Sequence, residues 1–121
     1  MSSDVYFSIY EDEKMTNLIE NIGVGHLAVL NYFGFDAKTA ISRVLYYKPV
    51  ITTELISRLK IIIRHAHSSI LIDKNLSEEE FVNCYGYLGP HDIEWDDIIY
   101  EDEMEEALKE FIGKYISIGV D

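Results

Sequence analysis

The chain reads as a small, mainly α single domain: a helical bundle, extended to α+β if one or two short strands are added. Three observations predict this. Leu55, Leu59, Ile62, Ile63, Ala66 and Ile70 recur at helical spacing and form one broad apolar stripe, with Ile56 beside it. Met104, Ala107, Leu108, Phe111, Ile112, Tyr115 and Ile116 form a second. A period of two appears near the N-terminus, where Val5, Phe7 and Ile9 alternate with Tyr6, Ser8 and Tyr10. At 121 residues the expectation is one compact domain over 1–121, and 48% hydrophobic content is enough for a core.

The alternating segment within residues 1–10 is a short strand or an extended arm, since no obvious second strand follows. Met15, Leu18, Ile19 and Ile22 have helical spacing, which Gly23 and Gly25 interrupt. Leu27, Leu30 and Tyr32–Phe33 suggest a further helical piece ending at Gly34. Asp36 is placed to cap a helix carrying Ala37, Ala40, Ile41, Val44 and Leu45, which stops before Pro49. Thr52 or Thr53 caps the central helix, which runs to about Ile70. Ser77 followed by Glu80 matches a capping box before a helix bearing Phe81, Cys84 and Tyr85, ended by Gly86, Gly89 and Pro90. The last helix is expected to start at Asp102 and continue through Ile116, supported by Glu105–Lys109 and Glu110–Lys114 pairs. A strand over Ile93–Tyr100 is the second candidate for β structure.

Charge divides the chain unevenly. Residues 38–72 carry six bases and Glu54; residues 73–121 carry 15 acids and three bases. Packing of basic helices beside acidic ones is therefore expected. It cannot neutralise everything, because net charge is −12. Such acidity opposes direct binding to nucleic-acid phosphates or to an anionic membrane surface. No segment is long and apolar enough to span a bilayer, and no signal-like N-terminus is present. With Cys84 as the only cysteine, an intramolecular disulfide and a multi-cysteine zinc site are both excluded. A cytoplasmic location is the matching expectation.

The stretch Asp92–Glu106 holds nine acids and no base, with Trp95, Ile98, Ile99 and Tyr100 among them. Asp92, Glu94, Trp95, Asp96, Asp97, Tyr100, Glu101 and Asp102 are the candidate partner-binding residues. Carboxylates there would steer and pair with Lys or Arg, while the aromatic side chains supply anchors. The bland alternative sends Trp95 and the isoleucines into the core and leaves the acids facing water. A calcium loop is disfavoured because the ordered carboxylate spacing and central glycine are absent. His65 and His67 point about 200° apart on a helix and do not share a metal easily. Cys84 falls in an apolar pattern and reads as a small core residue. Tyr46 and Tyr47 read as half-buried packing. No phosphate-binding loop or catalytic motif is present, so no catalytic residue, metal or cofactor is assigned.

In size, acidity and lack of catalytic motifs the chain is similar to bacterial immunity proteins, a similarity that covers no defined motif. It implies a noncatalytic inhibitor that occludes a basic protein, most concretely a cognate nuclease toxin whose substrate surface must be positive. Other readings are a nucleic-acid mimic acting against host defence and an enzyme with a site assembled from dispersed residues such as His26, His67, Cys84 or His91. A structural oligomerisation module is a further one.

Overall fold

The computed structural model describes residues 3–30, 35–85, 93 and 97–121. Among these, the chain is mainly α with a three-stranded antiparallel sheet. The elements run β1 (Asp4–Tyr10), β2 (Leu18–His26), α1 (Leu27–Leu30), α2 (Ala37–Tyr47), α3 (Thr53–Asp73), α4 (Glu78–Cys84), α5 (Glu101–Lys109) and β3 (Tyr115–Val120). Strand order is β2-β1-β3, so the first strand of the chain is the centre of the sheet and pairs with the last.

The alternation in β1 decides its two faces. Val5, Phe7 and Ile9 are fully buried against the helices, while Tyr6, Ser8 and Tyr10 lie on the other face. Phe7 stands opposite Ile22 of β2 and Ile118 of β3.

β2 replaces the helix expected over Met15–Ile22. Its pairing with β1 slips twice: Ile9 faces Glu20 but Tyr10 faces Leu18, and Val5 faces Gly25 but Tyr6 faces Gly23. Ile19 and Val24 are therefore the extra residues of two bulges. The bulge at Ile19 resets the period of two, which is why Leu18, Ile19 and Ile22 imitate a helical stripe. The turn before β2 is organised by Asp12, whose carboxylate accepts hydrogen bonds from the Thr16 and Asn17 backbone N–H groups and the Thr16 hydroxyl. These bonds favour the ionised form and hold Asp12 below the usual carboxylate range, the Thr16 hydroxyl contributing most.

The starts of α2, α3 and α4 agree closely with the sequence. The Asp36 carboxylate accepts from Thr39 N–H, Thr52 Oγ1 from Leu55 N–H, and Ser77 Oγ from Glu80 N–H. The α3 stripe of Leu55, Ile56, Leu59, Ile63, Ala66 and Ile70 is buried, and joins Ile41 and Leu45 of α2, Phe81 of α4, and Met104 and Leu108 of α5 in one core. Of the helix expected to reach Gly34, α1 covers Leu27–Leu30; Tyr32, Phe33 and Gly34 lie outside the described residues, as do Gly86, Gly89 and Pro90. Tyr46 and Tyr47 are not half-buried: both are 83% exposed. They follow Leu45 in the last turn of α2, and one or two further steps of 100° carry them off the buried Ala37–Ile41–Leu45 face.

The C-terminal helix is shorter than its apolar spacing predicts. α5 ends at Lys109, and Tyr115 and Ile116 belong to β3. Gly113 has φ +92°, a backbone region suited to glycine, and lies at the reversal between the two elements. Beyond it Ile116 and Ile118 alternate toward the core, the two-residue period of a strand. Gly119 lies within β3, where a Cβ would be 3.0 Å from the Tyr6 ring. The N-cap of α5 is Tyr100, without a side-chain cap bond; Asp102 is in the first turn, near the positive end of the helix dipole. The expected i,i+4 pairs are not formed. Lys109 pairs with Glu106, Lys114 with Glu11, and Glu105 with Lys60. The reversal is tied down by the α2–α3 connection: Ile51 N–H donates to Lys114 C=O, and Gly113 N–H to Ile51 C=O.

Candidate functional site

The described part of the acidic segment, residues 97–109, separates into faces with different partners. One face meets α3. The Arg64 guanidinium donates two hydrogen bonds of 2.8 Å to the Glu101 carboxylate, and Lys60 Nζ is 3.1 Å from Glu105 and 3.7 Å from Asp102. These are the expected bonds between the basic middle of the chain and its acidic end. The Arg64 hydrogen bonds hold the Glu101 carboxyl below its usual value, and the bond to Glu105 raises the Lys60 ammonium. Glu101 and Asp102 are thus engaged inside the molecule, although the Asp102 side chain stays 87% exposed.

A group whose folded pKa is depressed stabilises the fold above its unfolded pKa and loses that contribution as pH falls through the folded value. For Glu101 the loss therefore begins near the ordinary value of 4.5 and continues below it. Glu101→Gln is expected to flatten the acid limb of the stability curve, read as urea midpoints across that range. An unchanged acid limb would show that the pair contributes nothing to folding.

The apolar residues of the segment turn inward. Ile98 is fully buried, Ile93 is buried, and Ile99 packs against the core. Gly25 and Ile98 form an antiparallel bridge, and Ile99 N–H donates to Val24 C=O at 2.7 Å. Tyr100 is 48% exposed and stacks on His67 with centroids 5.2 Å apart; His67 Nε2 also lies 3.1 Å from Ile99 C=O. His67 is thereby a structural strut of this segment. His65 stacks on Phe35 at 4.1 Å. Cys84 is half-buried against the core. Among the described residues no three His, Cys, Asp or Glu side chains are grouped to hold a metal.

The other face of the segment looks into a groove of about 990 Å3, lined by Asp97, Ile99, Glu103 and Ala107 on one side and by β1 and β2 on the other. Asp4, Asp121 and His26 also border it. Glu103 and Ala107 are four residues apart and share a helix face, which explains why both reach the groove while Glu101 and Glu105 reach α3.

Of the eight residues the sequence singled out, Asp97 lies on the groove, Glu101 and Asp102 face α3, and Tyr100 stacks on His67. Asp92, Glu94, Trp95 and Asp96 lie outside the described residues. Sequence reasoning missed Tyr6, Tyr10, Asn21 and Gly23. The available signal was the Tyr6–Ser8–Tyr10 alternation, which marks a polar and aromatic sheet face opposite the core face. No protein-family model, curated protein or solved structure matches the chain.

Proposed function

We propose that the protein is an acidic, noncatalytic inhibitor that acts in the cytoplasm by binding and blocking a basic protein, most concretely a nuclease toxin, as an immunity protein does. The observation that carries this reading is the charge left after internal pairing. Ten bases face 22 acids, so even complete one-to-one pairing leaves twelve carboxylates unmatched. A field of that sign attracts proteins with positive substrate surfaces and repels nucleic acid itself. The arrangement along residues 97–109 supports the same reading. Glu101 and Glu105 are spent on α3, whereas Glu103 forms no ion pair with a described residue and borders an open groove.

Affinity capture under native expression, followed by a nucleic-acid cleavage assay, tests this. A basic protein should be retained at low salt, and its cleavage activity should fall to background at one equivalent of inhibitor. Glu103→Gln combined with Asp4→Asn should slow association about tenfold without moving the unfolding midpoint. Capture of a partner whose activity continues in the presence of excess protein would reject inhibition.

A further inference from the structure

The sheet has a core face and an opposite face, and the second is the floor of the groove. Tyr6 and Tyr10 of β1 lie on it with Ser8 between them, and the Ser8 hydroxyl donates to Asn21 Oδ1 at 2.8 Å. Tyr6 is positioned by Gly119, whose missing side chain leaves room for the ring. At one end, Asp121 N–H donates to Asp4 C=O at 3.1 Å, which brings those two acidic residues together; Asp97 and Glu103 border the side. Among the described residues, the groove is lined by the acidic Asp4, Asp97, Glu103 and Asp121 and by no Lys or Arg. A recess of this kind concentrates negative potential, and tyrosine faces add attraction for a cation.

The edge of β2 supplies a second feature. The chain's own residues 98–99 already pair with β2 at Val24 and Gly25. Over Leu18–Gly23, no described strand other than β1 pairs with β2. Those residues are mostly exposed, and Leu18, Asn21, Ile22 and Gly23 line the groove. An extended segment can therefore add to β2 where Ile99 leaves it, with alternate side chains directed over the groove.

Resting on the inhibitor reading, we propose that an extended, lysine- or arginine-bearing segment of the basic partner docks along Leu18–Gly23 and seats a cationic side chain between the tyrosines and the carboxylates. A Cβ on Gly23 would meet nothing within 4 Å, and its φ is ordinary, so Gly23→Lys introduces a competing cation into the groove without backbone strain.

The test is a backbone-amide NMR titration with a short peptide alternating arginine and serine, and with a glutamate–serine peptide of equal length. The arginine peptide should shift Tyr6, Ser8, Asn21, Gly23 and Glu103, and the glutamate peptide should shift none of them. Gly23→Lys should weaken arginine-peptide binding at least about tenfold, while Ser57→Lys, the same charge added on exposed α3, should leave it nearly unchanged. If Gly23→Lys proves unstable, Leu18→Lys at the rim should give the same loss. Shifts spread equally over Glu78–Glu80 and the groove, or equal weakening by Ser57→Lys, would overturn the site. So would a self-association of the free protein that shifts the same amides and is abolished by Gly23→Lys, because the occupant would then be a second copy. A captured toxin that Gly23→Lys still inhibits with wild-type affinity would refute the groove and leave the inhibitor reading standing. Arginine-peptide binding at the groove without inhibition of any captured nuclease would do the reverse.

Discussion

Gly25→Ala is expected to destabilise the protein by about 2–4 kcal/mol and to detach the acidic segment from the sheet. A Cβ at this position would lie 2.4 Å from the Asp97 carbonyl oxygen, 3.1 Å from Ile98 Cα and 3.3 Å from Leu30 Cδ1. The first two are backbone atoms and cannot rotate away. The cheapest relief is movement of residues 97–99, which breaks the Ile99 N–H bond to Val24 C=O and lifts Ile98 out of the core. A denaturation midpoint reads the total cost, and hydrogen exchange at the Ile99 amide reads the local opening. The paired control is Gly23→Ala, two residues earlier in the same strand, where the added methyl meets open space and the effect should stay within about 0.5 kcal/mol. Equal stability of the two variants would mean that the segment is not seated on β2 at Gly25.

Phe7→Ala should cost about 3–5 kcal/mol, a large share of the roughly 5–15 kcal/mol that holds a domain of this kind together. Phe7 is fully buried in the middle of the central strand, facing Ile22 and Ile118 across its two neighbours. Its removal empties a site bounded by strands on both sides, which limits how far the surroundings can collapse into it. Urea denaturation compares it with Tyr6→Ala, whose side chain lies on the opposite face and should cost less. If residues 1–10 were a peripheral arm, Phe7→Ala would change the midpoint hardly at all, and that result would contradict a sheet built around β1.

The helical part of this architecture was legible because its signals are local. Asp36, Thr52 and Ser77 announce three helix starts by side-chain chemistry, and the α3 stripe repeats long enough to leave no alternative period. The sheet was less legible because its evidence is distributed across the whole chain. β1 alternates cleanly, but its partners are a doubly bulged strand and a strand more than a hundred residues away. Ile19 and Val24 shift the phase of β2, and Phe111–Ile112 followed by Tyr115–Ile116 mimics a helix across the turn at Gly113. The charge of the acidic segment is read directly from the sequence, but its geometry is not. Whether an acid faces α3 or the groove depends on where Arg64 and Lys60 come to lie, which only tertiary packing decides. The groove floor, formed by Tyr6, Tyr10 and Asn21, required the pairing of two strands to be known.

Capture of a basic protein by surplus negative charge, as proposed, makes association depend on salt. The most direct measurement is the association rate of the captured partner by stopped flow as salt rises from about 0.02 M to about 0.5 M, a range that shortens screening from roughly 20 Å to under 5 Å. Electrostatic capture predicts a fall of at least about tenfold across that range, a shallower fall for Glu103→Gln with Asp4→Asn, and loss of partner activity in step with complex formation. A rate that stays constant with salt, or a complex that forms while the partner remains fully active, would contradict it.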